Sequence, residues 1–204
     1  MKNYNMIPSR NVLQKTVENL KKRGIDAVVA ENGQDAKNKV RKLIPHGAEV
    51  FDSSSTTLET LGIAKEIQKS GKYDSVRKKL TSMDRKTQNK KMQSLGATPE
   101  WIVGSVHAVT EDGEVLIASN TGSQLPAYAY GSAHVIWVVG AQKIVKDLKD
   151  GFKRIYEYVL PLESKRVQKA YGMEKSNVSK LLVVNNEIQR GRITVILVKE
   201  KLGF

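Results

Sequence analysis

Two short stretches concentrate the residue types that do chemistry. The first is Asp52-Ser53-Ser54-Ser55-Thr56-Thr57-Leu58-Glu59. Five hydroxyls stand in a row behind an aspartate. Capping a helix takes one or two of them, and Thr56 with Glu59 has the spacing of a capping box. The remaining hydroxyls are available to a ligand. The second stretch is Asn120-Thr121-Gly122-Ser123-Gln124, polar and small. Its glycine lets the backbone come close to a ligand without a Cβ in the way. Loops that open helices aim amides and hydroxyls at a carboxylate or a phosphate. The ligand-binding candidates are therefore Ser53, Ser54, Ser55, Thr56, Asn120, Thr121, Gly122, Ser123 and Gln124.

Acid–base candidates are few. Asp52 ends a strand beside the hydroxyl loop and is the best-placed general base. Glu111 and Glu114 flank a turn and are expected to face water. His107, near the second loop, is the other catalytic candidate, although a histidine on a strand is more often structural. His134 begins a strand, and His46 follows Pro45 in a turn. Three separated histidines without a carboxylate at ligand spacing do not suggest a metal site. The chain has no cysteine. That excludes disulfides, thiolate catalysis and cysteine-ligated iron–sulfur clusters on this chain. No cofactor is expected.

The elements that must position these loops follow from periodicity. Val12, Leu13, Thr16, Val17 and Leu20 have helical spacing, and Gly24 stops that helix. Ile25 to Ala30 is a buried strand. Asn32 caps a helix carrying Ala36, Val40, Leu43 and Ile44, and Ala48 to Phe51 is a second strand. Helix–strand alternation with short connections predicts a parallel sheet with helices packed on it. Tyr73 to Gly96 has a sparse helical pattern and is expected to wrap the sheet edge or form a lid.

Ile102 to Thr110 and Val115 to Ala118 read as the strands of a buried hairpin. Asp112-Gly113 supplies a two-residue turn with positive φ at both central positions. Leu125 to Tyr128 opens a helix. Ala133 to Gly140 is another buried strand, and Ile144 to Tyr158 is a helix broken by Pro161. Two runs, Leu181 to Ile188 and Ile193 to Val198, form a C-terminal hairpin packed on the main sheet or on a second subunit. Both polar loops follow strands, and such loops gather at one edge of a parallel sheet. They are predicted to face each other across a single cleft.

Composition narrows the class. With 204 residues, 40% of them apolar, one domain covering 1–204 can build a sizeable core. No apolar run reaches the roughly 18 residues of a membrane span. The amino-terminal MKNYNMIPSRNVLQK lacks the apolar centre of a signal peptide, so a cytoplasmic location is expected. The net charge of +13 suits anionic metabolites, an anionic lipid surface or nucleic acid. The basic residues cluster between Lys65 and Lys91. Aromatics do not interleave with them, which argues against a single-strand stacking platform.

The stretch Gly104 to Val145, GSVHAVTEDGEVLIASNTGSQLPAYAYGSAHVIWVVGAQKIV, resembles the central signature of the lactate-utilisation (LUD) domain family. FDSSSTTLETLGI, from Phe51 to Ile63, is similar to that family's Ser/Thr-rich motif. Arg154 with Leu160-Pro161-Leu162-Glu163, and Gly191 to Val198 with Leu202-Gly203-Phe204, also fit. The resemblance implies an α/β fold similar to the ribose-phosphate isomerase and CoA-transferase superfamily. It implies a role in oxidising lactate or related organic acids, with partner subunits of a lactate-oxidation complex; a homo-oligomer is expected only through the apolar C-terminal hairpin. Some relatives carry a ferredoxin-like part with cysteine ligands, whereas this chain resembles the stand-alone kind. The leading expectation is an anionic small-molecule ligand held between the two loops. The alternative is a basic nucleic-acid-binding protein.

Overall fold

The computed structural model describes residues 3–204. α1 (Arg10–Lys22) is capped by Ser9, whose hydroxyl accepts from the Val12 amide, and buries Leu13, Thr16, Val17 and Leu20 at helical spacing. Then come β1 (Asp26–Ala30), α2 (Gly33–Leu43), β2 (Glu49–Asp52), α3 (Thr56–Thr60), α4 (Ile63–Lys69) and β3 (Asp74–Ser75). Two basic helices follow, α5 (Val76–Thr81) and α6 (Arg85–Ala97), and lead to β4 (Trp101–Gly104). The next strands are β5 (Ala108–Thr110), β6 (Val115–Ser119), β7 (His134–Gly140) and β8 (Ile144–Val145). α7 (Leu148–Lys153), α8 (Leu160–Tyr171), β9 (Lys180–Val184) and β10 (Ile193–Val198) complete the fold.

Six strands form a wholly parallel sheet in the order β1-β10-β7-β4-β2-β3. Such a sheet needs cover on both faces. On one side Val50, Val103, Ile136 and Val138 pack with Ala36 and Val40 of α2, Leu58 of α3 and Ile63 of α4. On the other, Phe51, Ile102, Val135 and Trp137 meet α1, Val76 of α5, and Val109, Val115 and Ile117. Those last three belong to a second sheet, ordered β8-β5-β6-β9. Its far face presents Ala108, Leu116 and Ala118 to Ile155 and its neighbours. The continuous apolar run of β6 is thus explained, because both its faces are covered. The architecture is α/β, with a mainly parallel sheet flanked by helices and a β5–β6 hairpin, as the periodicity implies.

Several local readings are corrected. Ile102 to Thr110 is not one strand. β4 lies in the parallel sheet, β5 in the second sheet, and residues 105–107 cross between them. The β5–β6 turn has positive φ only at Gly113 (+92°), so it is not a two-residue turn with both centres left-handed. The Gly113 amide donates to Thr110 and the Thr110 amide to Glu114 carbonyl oxygen, as in a turn closed by a left-handed glycine bulge. Glu111 and Glu114 do not simply face water. They pair with Lys15 and Arg23 and fasten the hairpin to α1.

The C-terminal runs do not pair with each other. β9 lies antiparallel to β6, and β10 lies between β1 and β7 in the main sheet. A run as apolar as ITVILV suits the sheet interior, buried on both faces, better than a hairpin edge. Ile144 and Val145 form β8 rather than a helical turn, and α7 starts only after its cap, Asp147. Pro161 does not break the helix. A wide π-turn at Arg154–Val159 precedes it and relieves the clash a proline makes in a regular helix.

Candidate functional site

Three neighbouring parallel strands, β7, β4 and β2, each deliver a polar residue just beyond the carboxyl end. These are Lys143 after β7, Ser105 after β4, and Ser53 to Thr57 after β2. They converge on a cavity of about 260 Å³, and the second sheet closes its other side with His107, Ser119 and Asn120. This is the edge where ligands sit in open α/β sheets. The 105–107 crossing between the two sheets is what brings Ser105 and His107 to the cavity.

Residues of the two candidate loops border the same cavity. Ser53, Ser54, Ser55 and Thr56 stand on one wall, and Asn120, Thr121, Ser123 and Gln124 on the other. Several of these groups have local duties. Ser55, rather than Thr56, caps α3 by accepting from the Leu58 amide. Ser53 Oγ is buried and bonded to Tyr128 Oη at 2.7 Å. Gly104 has no room for a side chain, since a Cβ there would meet both of those hydroxyls. The second loop folds on itself through Ser119, whose hydroxyl donates to Gln124 at 3.1 Å and accepts from the Gly122 amide at 2.8 Å. Gly122 itself does not line the cavity. Its φ of +84° serves the turn, and a Cβ there would strike the Lys180 side chain.

Helix termini supply little of the charge expected of them. α3 has five residues, and Leu125 to Tyr128 leads into a π-turn at Ala127–Gly131. Neither aligns enough peptides to make a strong dipole. The positive potential comes from side chains instead. Lys143 Nζ is buried and donates to Thr57 Oγ1 at 3.2 Å, Ser105 Oγ at 3.1 Å and the Val106 carbonyl at 3.1 Å. All three partners are neutral. Burial, with the nearby Arg154 guanidinium second, pulls its pKa down to about 7.

Arg154 is fully buried behind His107, donates to the His107 carbonyl, and lies over the rings of Tyr4 and Tyr158. Its Nε and one terminal nitrogen have no hydrogen-bond partner. Burial lowers its pKa to about 10, so it remains charged. Arg77, from the basic region, also reaches the cavity wall, where it donates to the Asp52 carbonyl and stacks on Phe51 at 5.0 Å. Arg166 on the rim is held by Glu163 through two bonds of 2.7 and 2.8 Å.

His107 is placed for chemistry, and Asp52 is turned away from it. Nδ1 of His107 accepts from the Ala118 amide at 3.1 Å. Burial, then the nearby Lys143 and Arg154, lowers its pKa to about 3. The neutral ring therefore carries its proton on Nε2, the nitrogen left for a ligand. Asp52 does not line the cavity. Its side chain accepts from Gln68 at 2.7 Å and lies 3.8 Å from the Arg77 guanidinium, and burial raises its pKa. His134 stacks on Trp101 at 4.0 Å and His46 is exposed, so both are structural bystanders. Among the described residues, no cluster of acidic or histidine side chains has metal-binding geometry.

Comparison with known proteins identifies the family and the fold. The family model for the LUD domain matches residues 13–198. The chain belongs to the LUD domain family. That family is associated with lactate utilisation. The chain is also similar in fold to a DUF162-family protein from Deinococcus radiodurans. That crystal structure covers 94% of this chain and 99% of its own, at a TM-score of 0.59 and 11% identity. No curated protein matches. Within this LUD domain, residues of both loops and His107 border the cavity, and so do Lys143, Ser105 and Arg77, which the sequence pattern did not single out. A signal for Lys143 was present, since it is a lone charge inside the apolar VVGAQKIV.

Proposed function

We propose that this LUD domain binds a small organic acid in the cleft between its two polar loops and serves lactate-type acid metabolism. One observation carries the reading. Lys143 is buried in the cavity wall with no carboxylate within ion-pair distance among the described residues, and Arg154, buried behind His107 and outside the lining, adds positive potential that Asp150 offsets only in part. Buried charge is costly unless it is compensated, and an anion in the cavity compensates it. Arg192 makes the contrast. It is equally buried, but it pairs with Glu187 at 2.7 Å and donates to carbonyls of the Tyr128–Ser132 segment, so its charge is spent on structure.

The carboxylate would lie towards Lys143 and the hydroxyl of Ser105. His107 Nε2–H would donate to a second ligand oxygen, such as a 2-hydroxy or 2-oxo group. Work inside a cytoplasmic lactate-oxidising assembly is compatible with this. A cysteine-ligated redox centre would then sit on a partner, because this chain has no cysteine.

A thermal-unfolding screen tests the reading with lactate, other 2-hydroxy acids, 2-oxo acids, sugar phosphates, nucleotides and CoA esters. We expect small organic acids to stabilise the fold, by roughly 2.7 kcal/mol at a hundredfold excess over Kd. No shift with any acid would refute it. Tight DNA or RNA binding that persists at moderate salt would favour the nucleic-acid reading instead.

A further inference from the structure

We propose that Lys143 is a nucleophile as well as a cation, and that its amine condenses with the carbonyl of a 2-oxo acid in the cleft to form an imine. The proposal rests on the anion-binding reading and names the ligand class. Its support is geometric. The amine lines the cavity floor, and no carboxylate holds it as an ammonium. The Val106 carbonyl only accepts, and so does the Thr57 hydroxyl, whose own proton goes to the Leu202 carbonyl at 3.2 Å, but the Ser105 hydroxyl can accept or donate, so the three partners satisfy a neutral amine as well as a charged one. A lysine that is desolvated and set near a second cation is activated in this way. Its lowered pKa, about 7, agrees. Arg154 and Arg77 keep their charge when the amine is neutral, so attraction for the acid survives.

The step balances. The Nζ lone pair attacks the carbonyl carbon and a C–N bond forms as the C=O π pair moves to oxygen. Both amine protons pass to that oxygen, which leaves as water when the C–O bond breaks and the C=N bond closes. Ser105 at 3.1 Å is placed to relay those protons. His107 Nε2–H is placed to hold the oxygen while they move.

The experiment is reductive trapping. The full chain is incubated at neutral pH with pyruvate and a borohydride reagent, and peptides are mapped by mass spectrometry. Pyruvate and lactate binding are measured calorimetrically in parallel. The expected result is one dominant adduct on Lys143, with a mass gain equal to pyruvate less one oxygen atom. Lys143→Arg, which keeps the charge, and Lys143→Met should both lack it. Binding of the acids with no adduct at Lys143, or adducts spread evenly over surface lysines, would overturn the inference and leave the anion site standing. Neither binding nor adduct would overturn both.

Discussion

Lys143 sets the behaviour of the site at the residue scale. Its folded pKa of about 7 lies below the ordinary 10.5. Between those values the unfolded chain holds a proton that the folded chain has released. Stability therefore rises with pH across that window, and below it the full cost of burying the ammonium is felt. Lys143→Met should remove that rise and stabilise the fold near pH 6 by roughly 1–4 kcal/mol, as replacement of a buried ion often does. Urea unfolding of both proteins from pH 6 to pH 10 checks this, and a variant less stable than the parent at pH 6 would count against it. Such a gain bought at the expense of ligand binding is what a functional rather than structural charge predicts. Little of this was legible in the sequence, because a lysine reads as surface until its neighbours are known. The hydroxyl loops were legible because five hydroxyls exceed what capping needs. Gly122 was expected to let the backbone approach a ligand, and it sits in the turn, outside the cavity lining. Whether a glycine serves a turn or a ligand depends on φ and on Lys180, which lies far from it in sequence.

Elements and their edges place those residues. Strands buried on both faces, such as β6 and β7, could be read from unbroken apolar runs. Which strands pair could not, because pairing is decided by the whole sheet. The clearest case is β10, expected in a hairpin and found between β1 and β7. β1 has no other neighbour in the sheet, so loss of β10 strands it and opens the core. Truncation after Gln189 should therefore give insoluble or non-cooperatively unfolding protein. A soluble truncation with a cooperative thermal transition would contradict the topology. The 105–107 crossing was hidden for a related reason, since β4 and β5 are each apolar and merge into one run. The π-turn before Pro161 was hidden too. Proline in a helical pattern reads as a stop, unless the preceding turn widens to admit it.

Charge unites the whole molecule. A net +13 is spread over the chain, and exposed lysines and arginines of α5 and α6 carry much of it. Long-range attraction of this kind draws anions in general, and the cleft selects among them. The basic helices contribute Arg77 to the cleft wall, so the region that seemed unrelated to the loops belongs in part to the same site. No helix among the described residues is long and apolar enough to cross a membrane. Family membership and fold agree on an α/β LUD domain, and the central claim is that its cleft floor receives an organic acid against Lys143. The most direct measurement is an NMR titration of Lys143, with its ε-carbon labelled and its signal assigned by the Lys143→Met variant. Without ligand, the account predicts a pKa of about 7, far below that of the surface lysines. Saturating lactate should raise it, because a nearby carboxylate favours the ammonium. A Lys143 that titrates near 10.5 and does not respond to any organic acid would contradict the account.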